Sequence, residues 1–372
     1  MTQFTAHDAK MMALAIRLAE KGQYTTSPNP NVGCVITDSQ GHIIGQGWHK
    51  KAGTAHAEIH ALAEAGEQAN GATAYVTLEP CSHHGRTGPC AQALLNAGIK
   101  RVVAAMVDPN PLVAGNGLKK LNAAGVEVSS GLLENEAKRL NRGFIKRMTT
   151  GHPWITVKLA SSLDGKTALH NGLSQWITGP LARQDVQRHR ARSCAILSGS
   201  GTVLADNPSL TVRHGELGFA MEDIAIDELR QPSRVLLDGR NQMHPDLHLF
   251  SLSSPIVLIN SQLNSAEFPS HVEQYQAKSK GAQLDLQDVM QHLGQRGFNS
   301  VWVEAGAKLA GALLQNKLID ELILYQAPKL LGDKGRDLFA VDELTQMQQA
   351  FALQWRDVRH VGPDLKLTAY FT

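Results

Sequence analysis

The sequence predicts an α/β protein built as two successive domains, and three observations predict it. The chain has 372 residues, more than one typical domain holds. Short apolar runs alternate with amphipathic stretches along both halves, the pattern of strands and helices packed in layers. Between the halves lies Thr149-Thr150-Gly151-His152-Pro153, a polar joint rich in helix breakers. The expected domains are residues 1–150 and 151–372. Hydrophobic residues make up 42% of the chain, enough for a core in each.

In the first half, Met11, Leu14, Ala15 and Leu18 recur at helical spacing, predicting an amphipathic helix that ends near Gly22. Ser27-Pro28-Asn29-Pro30-Asn31-Val32-Gly33 is a turn-rich loop feeding a strand at Cys34–Thr37. Ser39-Gln40-Gly41 turns the chain into a second strand, Ile43–Trp48. Helical periodicity resumes at His56 and runs through Ile59, Leu62 and Ala63. Ala72–Leu78 reads as a strand, and Gly88-Pro89 opens a helix at Cys90–Ala97, with proline at an early helical position. Arg101–Val107 is an apolar strand, followed by Asp108-Pro109-Asn110-Pro111 and a helix near Gly117–Ala124. Val126–Val128 is short and extended, and Leu132–Lys146 is helical.

In the second half a strand at Trp154–Leu159 runs into Ala160-Ser161-Ser162-Leu163-Asp164-Gly165-Lys166. A helix follows at Leu181–Arg192, carrying Arg183, Arg188, Arg190 and Arg192; on the bare sequence these arginines form a solvated face, where arginine usually sits. Apolar strands are predicted at Ala195–Leu197, Arg234–Asp238, Ile256–Asn260, Val301–Glu304, Leu322–Tyr325 and Lys366–Phe371. Helices are predicted at Leu286–Leu293 and Lys308–Gln315, and Gly215–Gln231 reads as an acidic, irregular, exposed insertion.

The chemistry concentrates between His56 and Cys90. His56-Ala57-Glu58 opens one predicted helix, Glu79-Pro80-Cys81 ends a strand, and Pro89-Cys90 opens another helix. One imidazole and two thiolates are three good ligands for tetrahedral zinc, and three protein ligands leave a fourth position for water, the mark of a catalytic site. Glu58 is close enough to move protons to and from that water without binding the ion, the division of labour of zinc-dependent base deaminases. The usual deaminase spacing has two residues between the cysteines; here there are eight. Buried free cysteines are also common core residues, and a lone histidine on a helix face needs no metal. Three ligand types plus a proton carrier within one segment favour the metal.

A phosphate site is less sharply written. Gly199-Ser200-Gly201-Thr202 follows a strand like a dinucleotide fingerprint, but its third glycine is absent and Asp206-Asn207-Pro208 ends any helix at once. Glu304-Ala305-Gly306-Ala307-Lys308-Leu309-Ala310-Gly311 is strand, small-residue turn and helix start, where free N–H groups suit an anion. The same small residues also serve plain strand–helix packing, and the segment alone does not choose.

Composition excludes several classes. The formal net charge is +2, with no clustered basic surface for nucleic acid. Four cysteines are too few for a disulfide framework in a chain this long. No signal pattern or membrane-length apolar run is present, so a cytoplasmic protein with no membrane partner is expected.

Together these motifs resemble the bifunctional riboflavin-biosynthesis deaminase–reductases. The matching stretches are Asn29–Gly33, His56–Glu58, Thr77–Cys90, Asp108–Pro111, Lys158–Lys166, Gly201–Pro208 and Val303–Gly306. The long inter-cysteine loop is typical of that family. Departures are Arg86 where lysine is often found, Gly88 where proline is usual, and Ala305 where a second glycine is common. The resemblance implies a cytidine-deaminase-like α/β/α sandwich followed by a dihydrofolate-reductase-like α/β domain. It implies zinc and NADPH as cofactors, and two successive reactions on a small pyrimidinone ribosylamine 5′-phosphate. Deamination converts the ring amine to a carbonyl, and reduction converts ribosyl to ribityl.

By the same likeness His56, Cys81 and Cys90 hold zinc and Glu58 is the general acid/base. Asn29, His49, His83 and Arg86 line the pyrimidine pocket, with Arg86 suited to the phosphate. Ala160, Trp176, Thr202, Asp206 and the turn Gly306, Ala307, Lys308, Leu309, Ala310, Gly311, Ala312 surround NADPH. Ser174, Arg190, Leu210, Arg213 and Glu304 hold the second substrate, with Lys158 beside them. A homo-oligomer is expected. Two other readings are a deaminase acting on a base within nucleic acid, which the balanced charge disfavours, and a zinc scaffold without catalysis, in which Glu58 has no necessary role.

Overall fold

The structure, a computed structural model, describes residues 4–82, 88–111, 113–218 and 229–371. It divides into two compact units, Met1–Gly151 and His152–Thr372.

The first unit is a five-stranded sheet between two layers of helices. Its strands are β1 (Gly33–Thr37), β2 (Ile43–Trp48), β3 (Thr73–Val76), β4 (Arg101–Ala104) and β5 (Glu127–Ser130), in the order β2-β1-β3-β4-β5. β1 runs antiparallel to β2 and β3, whereas β3, β4 and β5 are mutually parallel. Alternation of side chains along β1 sends Cys34 and Ile36 to one face and Val35 to the other. The first face is covered by α2 (Ala57–Ala65), α3 (Cys90–Asn96) and α4 (Asn116–Ala123), whose Ala57, Ala61, Ala91, Leu94 and Leu121 join its core. The second face takes Met11, Met12, Ala15 and Leu18 of α1 (Ala6–Glu20). Thr5 caps α1 in a reciprocal box with Asp8.

Two glycines let α2 settle on β2. A Cβ on Gly45 would lie 2.2 Å from Ala61 O, and one on Gly47 2.6 Å from Ala57 O. That contact lowers the start of α2, and with it His56, onto the sheet end.

The second unit is a nine-stranded sheet. Its strands include β6 (Trp154–Ser162), β7 (Lys166–Ala168), β8 (Ala195–Gly199), β9 (Ser233–Leu237), β10 (Ile256–Asn260), β11 (Val272–Gln276), the short β12 (Ser279–Lys280) and β13 (Gln283–Leu284), and β14 (Ser300–Glu304). β15 (Glu321–Ala327), the short β16 (Arg336–Asp337), β17 (Leu353–Val361) and β18 (Asp364–Phe371) complete the set. The main order is β11-β10-β9-β8-β14-β6-β15-β18-β17, with β12–β13 and β16–β7 as small separate pairs. All main pairings are parallel except β15–β18 and β17–β18. Parallel strands are covered on both sides. Leu197 and Val303 face one core with α9 (Leu286–Gln295) and α10 (Ala307–Gln315), and Ile196 and Trp302 face the other with α7 (Pro180–Arg192). Between β8 and β9 lies the short α8 (Ser200–Asp206).

Several expectations are corrected. Leu132–Lys146 is two helices, α5 (Glu134–Leu140) and α6 (Arg142–Thr150). Asn141 separates them because its side chain is spent on Asn31, accepting from its N and donating to its O, each at 2.8 Å. Thr149 and Thr150 end α6 rather than form a loop, and Gly151 at φ 77° stops it. Pro89 is the N-cap of α3 rather than its first helical residue. The insertion at Gly215–Gln231 is not exposed throughout, since Leu217 and Leu229 are buried and Arg230 donates to Ser193 O and Cys194 O; residues 219–228 lie outside the description. β17 has no counterpart among the predicted strands. A bulge between Trp355 and Asp357 breaks its alternation.

Candidate functional site

In the first unit, three side chains from three elements converge at the C-terminal end of β3. His56 is the N-cap of α2, with extended backbone at φ −77° and ψ 168°. Cys81 lies in the segment after β3, and Cys90 is the first residue of α3. His56 Nδ1 is 3.3 Å from Cys90 Sγ and 3.6 Å from Cys81 Sγ, and all three ligand atoms lie within 4.8 Å of one another. Zinc–ligand bonds of about 2.1 and 2.3 Å at tetrahedral angles place nitrogen and sulfur about 3.6 Å apart. The donor set and its spacing therefore fit zinc. It is the one such trio among the described residues.

Electrostatics fit as well. The Cys81 thiol is pulled down, chiefly by its hydrogen bond with Cys90, and Cys90 is raised, chiefly by the same bond. Two sulfurs at one point share a proton unless a cation replaces it. Backbone N–H of Cys90 also donates to Cys81 Sγ at 3.3 Å.

Glu58, in the first turn of α2, is 3% exposed. Its Oε2 is enclosed without a hydrogen-bond partner among the described residues. Burial pushes the carboxyl up to about 7, a value from which a group both takes and gives protons near neutral pH. His49 is buried and held neutral, chiefly by desolvation. Its Nδ1–H donates to Ala55 O at 3.1 Å, so Nε2 accepts from Asn29 Nδ2 at 3.0 Å. The His49 ring packs edge-on against His56, centroids 5.3 Å apart. Asn29 and His49 thus stand beside the metal trio. His83 and Arg86 lie outside the described residues.

Glu79 was not among the expected site residues. Its Oε2 accepts from Asp108 N at 3.0 Å and Gly115 N at 2.8 Å, and its Oε1 from Gly117 N at 2.8 Å. One buried carboxylate thereby ties the segment carrying Asp108–Pro111 to the strand end that carries Cys81. Its place in Glu79-Pro80-Cys81 is the only sequence signal for it.

In the second unit, Glu304 at the end of β14 is gripped by Arg190 of α7. Arg190 Nε is 2.6 Å from Oε1 and its terminal nitrogen 2.9 Å from Oε2. Trp302 Nε1–H donates to the same Oε1 at 2.9 Å. Burial raises the Glu304 carboxyl, but Arg190 overrides it and holds the group at about 2. The solvated-face expectation therefore fails for Arg190, which is 9% exposed, because α7 turns it inward to a fully bonded carboxylate. Lys158 is register partner to Glu304 on β6, and desolvation lowers its ammonium. Leu210 sends its side chain into the core with Val186 and Ile196, which leaves only its backbone for a ligand. Arg213 is half exposed and paired to Glu216 at 2.6 Å, and Ser174 is half buried.

Ala160 lies near the end of β6, Gly306 follows β14, and Thr202 and Asp206 lie on α8 directly after β8, segments at the C-terminal edge of adjacent parallel strands, where open α/β sheets bind ligands. Ser198 Oγ donates to Glu304 O at 2.7 Å, tying β8 to β14 there. Gly306 is the N-cap of α10 without a side-chain cap, so the N–H groups of Ala307, Lys308 and Leu309 face outward at the helix start. Helical period turns Ala310 and Gly311 inward, Ala310 into the core and Gly311 against Ala340, where a Cβ would lie 1.9 Å from the carbonyl oxygen. Ala312 is half buried. Trp176 is exposed, with the Arg183 guanidinium 4.5 Å from its ring centroid.

Residues 5–106 match the family model described as the cytidine and deoxycytidylate deaminase zinc-binding region, and residues 153–367 match the RibD C-terminal domain. The fold and metal trio thus define a zinc-dependent deaminase joined to a second α/β domain. The riboflavin biosynthesis protein RibD of Escherichia coli K12 is 52% identical over 97% of this chain and 98% of its own length. That of Aquifex aeolicus is 37% identical over 96% of this chain and 97% of its own. Among solved structures, Acinetobacter baumannii RibD is 44% identical with a TM-score of 0.90, covering 98% of this chain and 99% of that one. A Thermotoga maritima diaminohydroxyphosphoribosylaminopyrimidine deaminase/5-amino-6-(5-phosphoribosylamino)uracil reductase is 34% identical with a TM-score of 0.86, covering 98% and 99%. The chain belongs to the bifunctional riboflavin-biosynthesis deaminase–reductase family, and it is both a hydrolase and an oxidoreductase.

Proposed function

We propose that residues 1–150 deaminate 2,5-diamino-6-ribosylamino-4(3H)-pyrimidinone 5′-phosphate and that residues 151–372 reduce the product with NADPH to 5-amino-6-ribitylamino-uracil 5′-phosphate. The observation that carries the reading is His56, Cys81 and Cys90 within 4.8 Å of one another beside the buried Glu58. These three would hold zinc, and the ion would supply the Lewis acidity that makes water nucleophilic at neutral pH. Glu58 takes the water proton and passes it to the ring nitrogen and the departing amine, which leaves as ammonia. Neutral His49 holds the Asn29 amide by its Nδ2, which aims the rest of that amide at the pyrimidine edge. His83 and Arg86 complete this pocket, with Arg86 toward the phosphate.

In the reductase, Ala160, Trp176, Thr202, Asp206 and the start of α10 hold NADPH, and Arg190, Glu304, Lys158, Ser174 and Arg213 hold the sugar phosphate, with backbone at Leu210. Arg213 is the phosphate group of choice because it is exposed, and a phosphate would displace Glu216 from its fork. The thiolates of the metal trio suit a reducing compartment such as the cytoplasm.

The chain also acts as a homo-oligomer in this reading. Leu353, Trp355 and Val358 are exposed on the edge strand β17, a surface that a second copy would cover.

Incubating the full chain with the diaminopyrimidinone phosphate, with and without NADPH, tests both steps. Mass analysis is expected to find only the amine-to-carbonyl product without NADPH, and the reduced product with it. An unchanged substrate, or reduction without deamination, overturns the order proposed.

A further inference from the structure

Behind the Glu304–Arg190 pair, the inner face of α7 carries a second polar cluster that none of the roles above uses. Asp185 and His189 are one turn apart on α7. They face Tyr325 of β15 and Lys366 of β18, direct partners across the antiparallel pair. Asp185 Oδ2 accepts from Tyr325 Oη and from Lys366 Nζ, each at 2.6 Å. Lys366 Nζ also lies 2.7 Å from His189 Nε2, so the ammonium donates and the ring nitrogen accepts. The Lys366 side chain is 3% exposed and that of Asp185 13%.

The cluster reaches the proposed substrate groups through contiguous contacts. The His189 ring stacks on the Trp302 indole, centroids 4.7 Å apart and planes within 4°. Trp302, 1% exposed, donates its N–H to Glu304 Oε1, the oxygen that Arg190 Nε also takes. Arg190 follows His189 in the chain, so the roll and height of α7 on the sheet set its guanidinium.

A buried ion pair is a poor route to stability, since apolar groups of similar volume often do as well or better. It does impose direction, because each bond has one good geometry. Misplacement of a binding group by about 1 Å costs about a hundredfold in rate.

We propose that Asp185, His189, Tyr325 and Lys366 form a positioning cluster for the reductase: they hold α7 at one height on the sheet and, through Trp302, set Glu304 and Arg190 for the sugar phosphate. The proposal rests on the reading of Glu304 and Arg190 as substrate groups. None of the four cluster residues touches substrate or cofactor.

The test uses the full chain carrying Asp185→Leu with Lys366→Met, which removes both charges together. Reduction is followed as NADPH oxidation on the already deaminated pyrimidine phosphate, and ammonia release from the diamino substrate in the same preparation is the internal control. The KM for the pyrimidine is expected to rise about tenfold, with the KM for NADPH and ammonia release within about twofold of wild type. Trp302→Phe keeps a stacked ring but removes the indole N–H; it is expected to shift the pyrimidine KM in the same direction and decides the matter if the double variant does not fold. A pyrimidine KM unchanged in Trp302→Phe and in any folded double variant overturns the proposal. An equal rise in both KM values also overturns it, since that marks general loosening. Wild-type chain that oxidises no NADPH on this substrate defeats the substrate reading, and the proposal with it.

Discussion

His56 Nδ1 and Cys90 Sγ face each other across 3.3 Å although 34 residues separate them. Each opens a helix, α2 and α3, and both helices start at the same end of the five-stranded sheet. Helix starts favour thiolates and accept no further cap here, so the metal centre is built from places where the backbone already needs a partner.

Glu58→Gln removes the proposed proton carrier while keeping shape. Ammonia release is expected to fall by about two to four orders of magnitude, with zinc retained and reduction of already deaminated substrate continuing. Zinc content by elemental analysis and the two separate assays check this. Retained ammonia release rules out the assigned role.

Cys90→Ser replaces a strong ligand by a weak one. Zinc is expected to drop well below one per chain, with ammonia release lost. NADPH oxidation on deaminated substrate should persist, because no ligand belongs to the second unit. Chelation of wild-type zinc should reproduce the pattern, and re-addition of zinc should reverse it.

Glu79→Gln puts an NH₂ group against backbone N–H groups that now share a carboxylate. The loss is expected to destabilise the first unit by about 1–3 kcal/mol, seen as a lower melting temperature. Unchanged stability in Glu79→Gln with normal deamination would mean the segment at Asp108–Gly117 is held by other contacts.

Glu304 makes stability depend on acid. Its folded value of about 2 lies below the ordinary 4.5, so its contribution is complete above the ordinary value and is lost as pH falls from there through the folded one. The melting temperature of wild type should therefore decline over that window. Glu304→Gln is expected to melt lower at neutral pH, because Arg190 stays buried without its charge partner, and to show a shallower decline in acid. Identical slopes would sink the assignment.

Much of the metal centre was legible because its ligands lie within 35 residues and each sits at a helix start or strand end that the sequence marks. The eight-residue spacing between the cysteines hid it from a generic motif but not from its chemistry. The second unit was less legible. The arginines of α7 repeat like a solvated face, and nothing local distinguishes Arg190, whose burial depends on Glu304, 114 residues away. The strand β17 was missed because its bulge breaks the two-residue period.

The sequence by itself determined the strand and helix alternation and singled out a candidate metal trio with a carboxylate beside it, because these follow from local periodicity and from side chains whose chemistry has few other uses. The tertiary structure decided which polar residues are buried together: Arg190 with Glu304, Glu79 with the amides of Asp108, Gly115 and Gly117, and Asp185 with Tyr325 and Lys366. Such pairings depend on strand order and helix placement, and a charge seen only along the chain carries no record of the partner that folding brings to it.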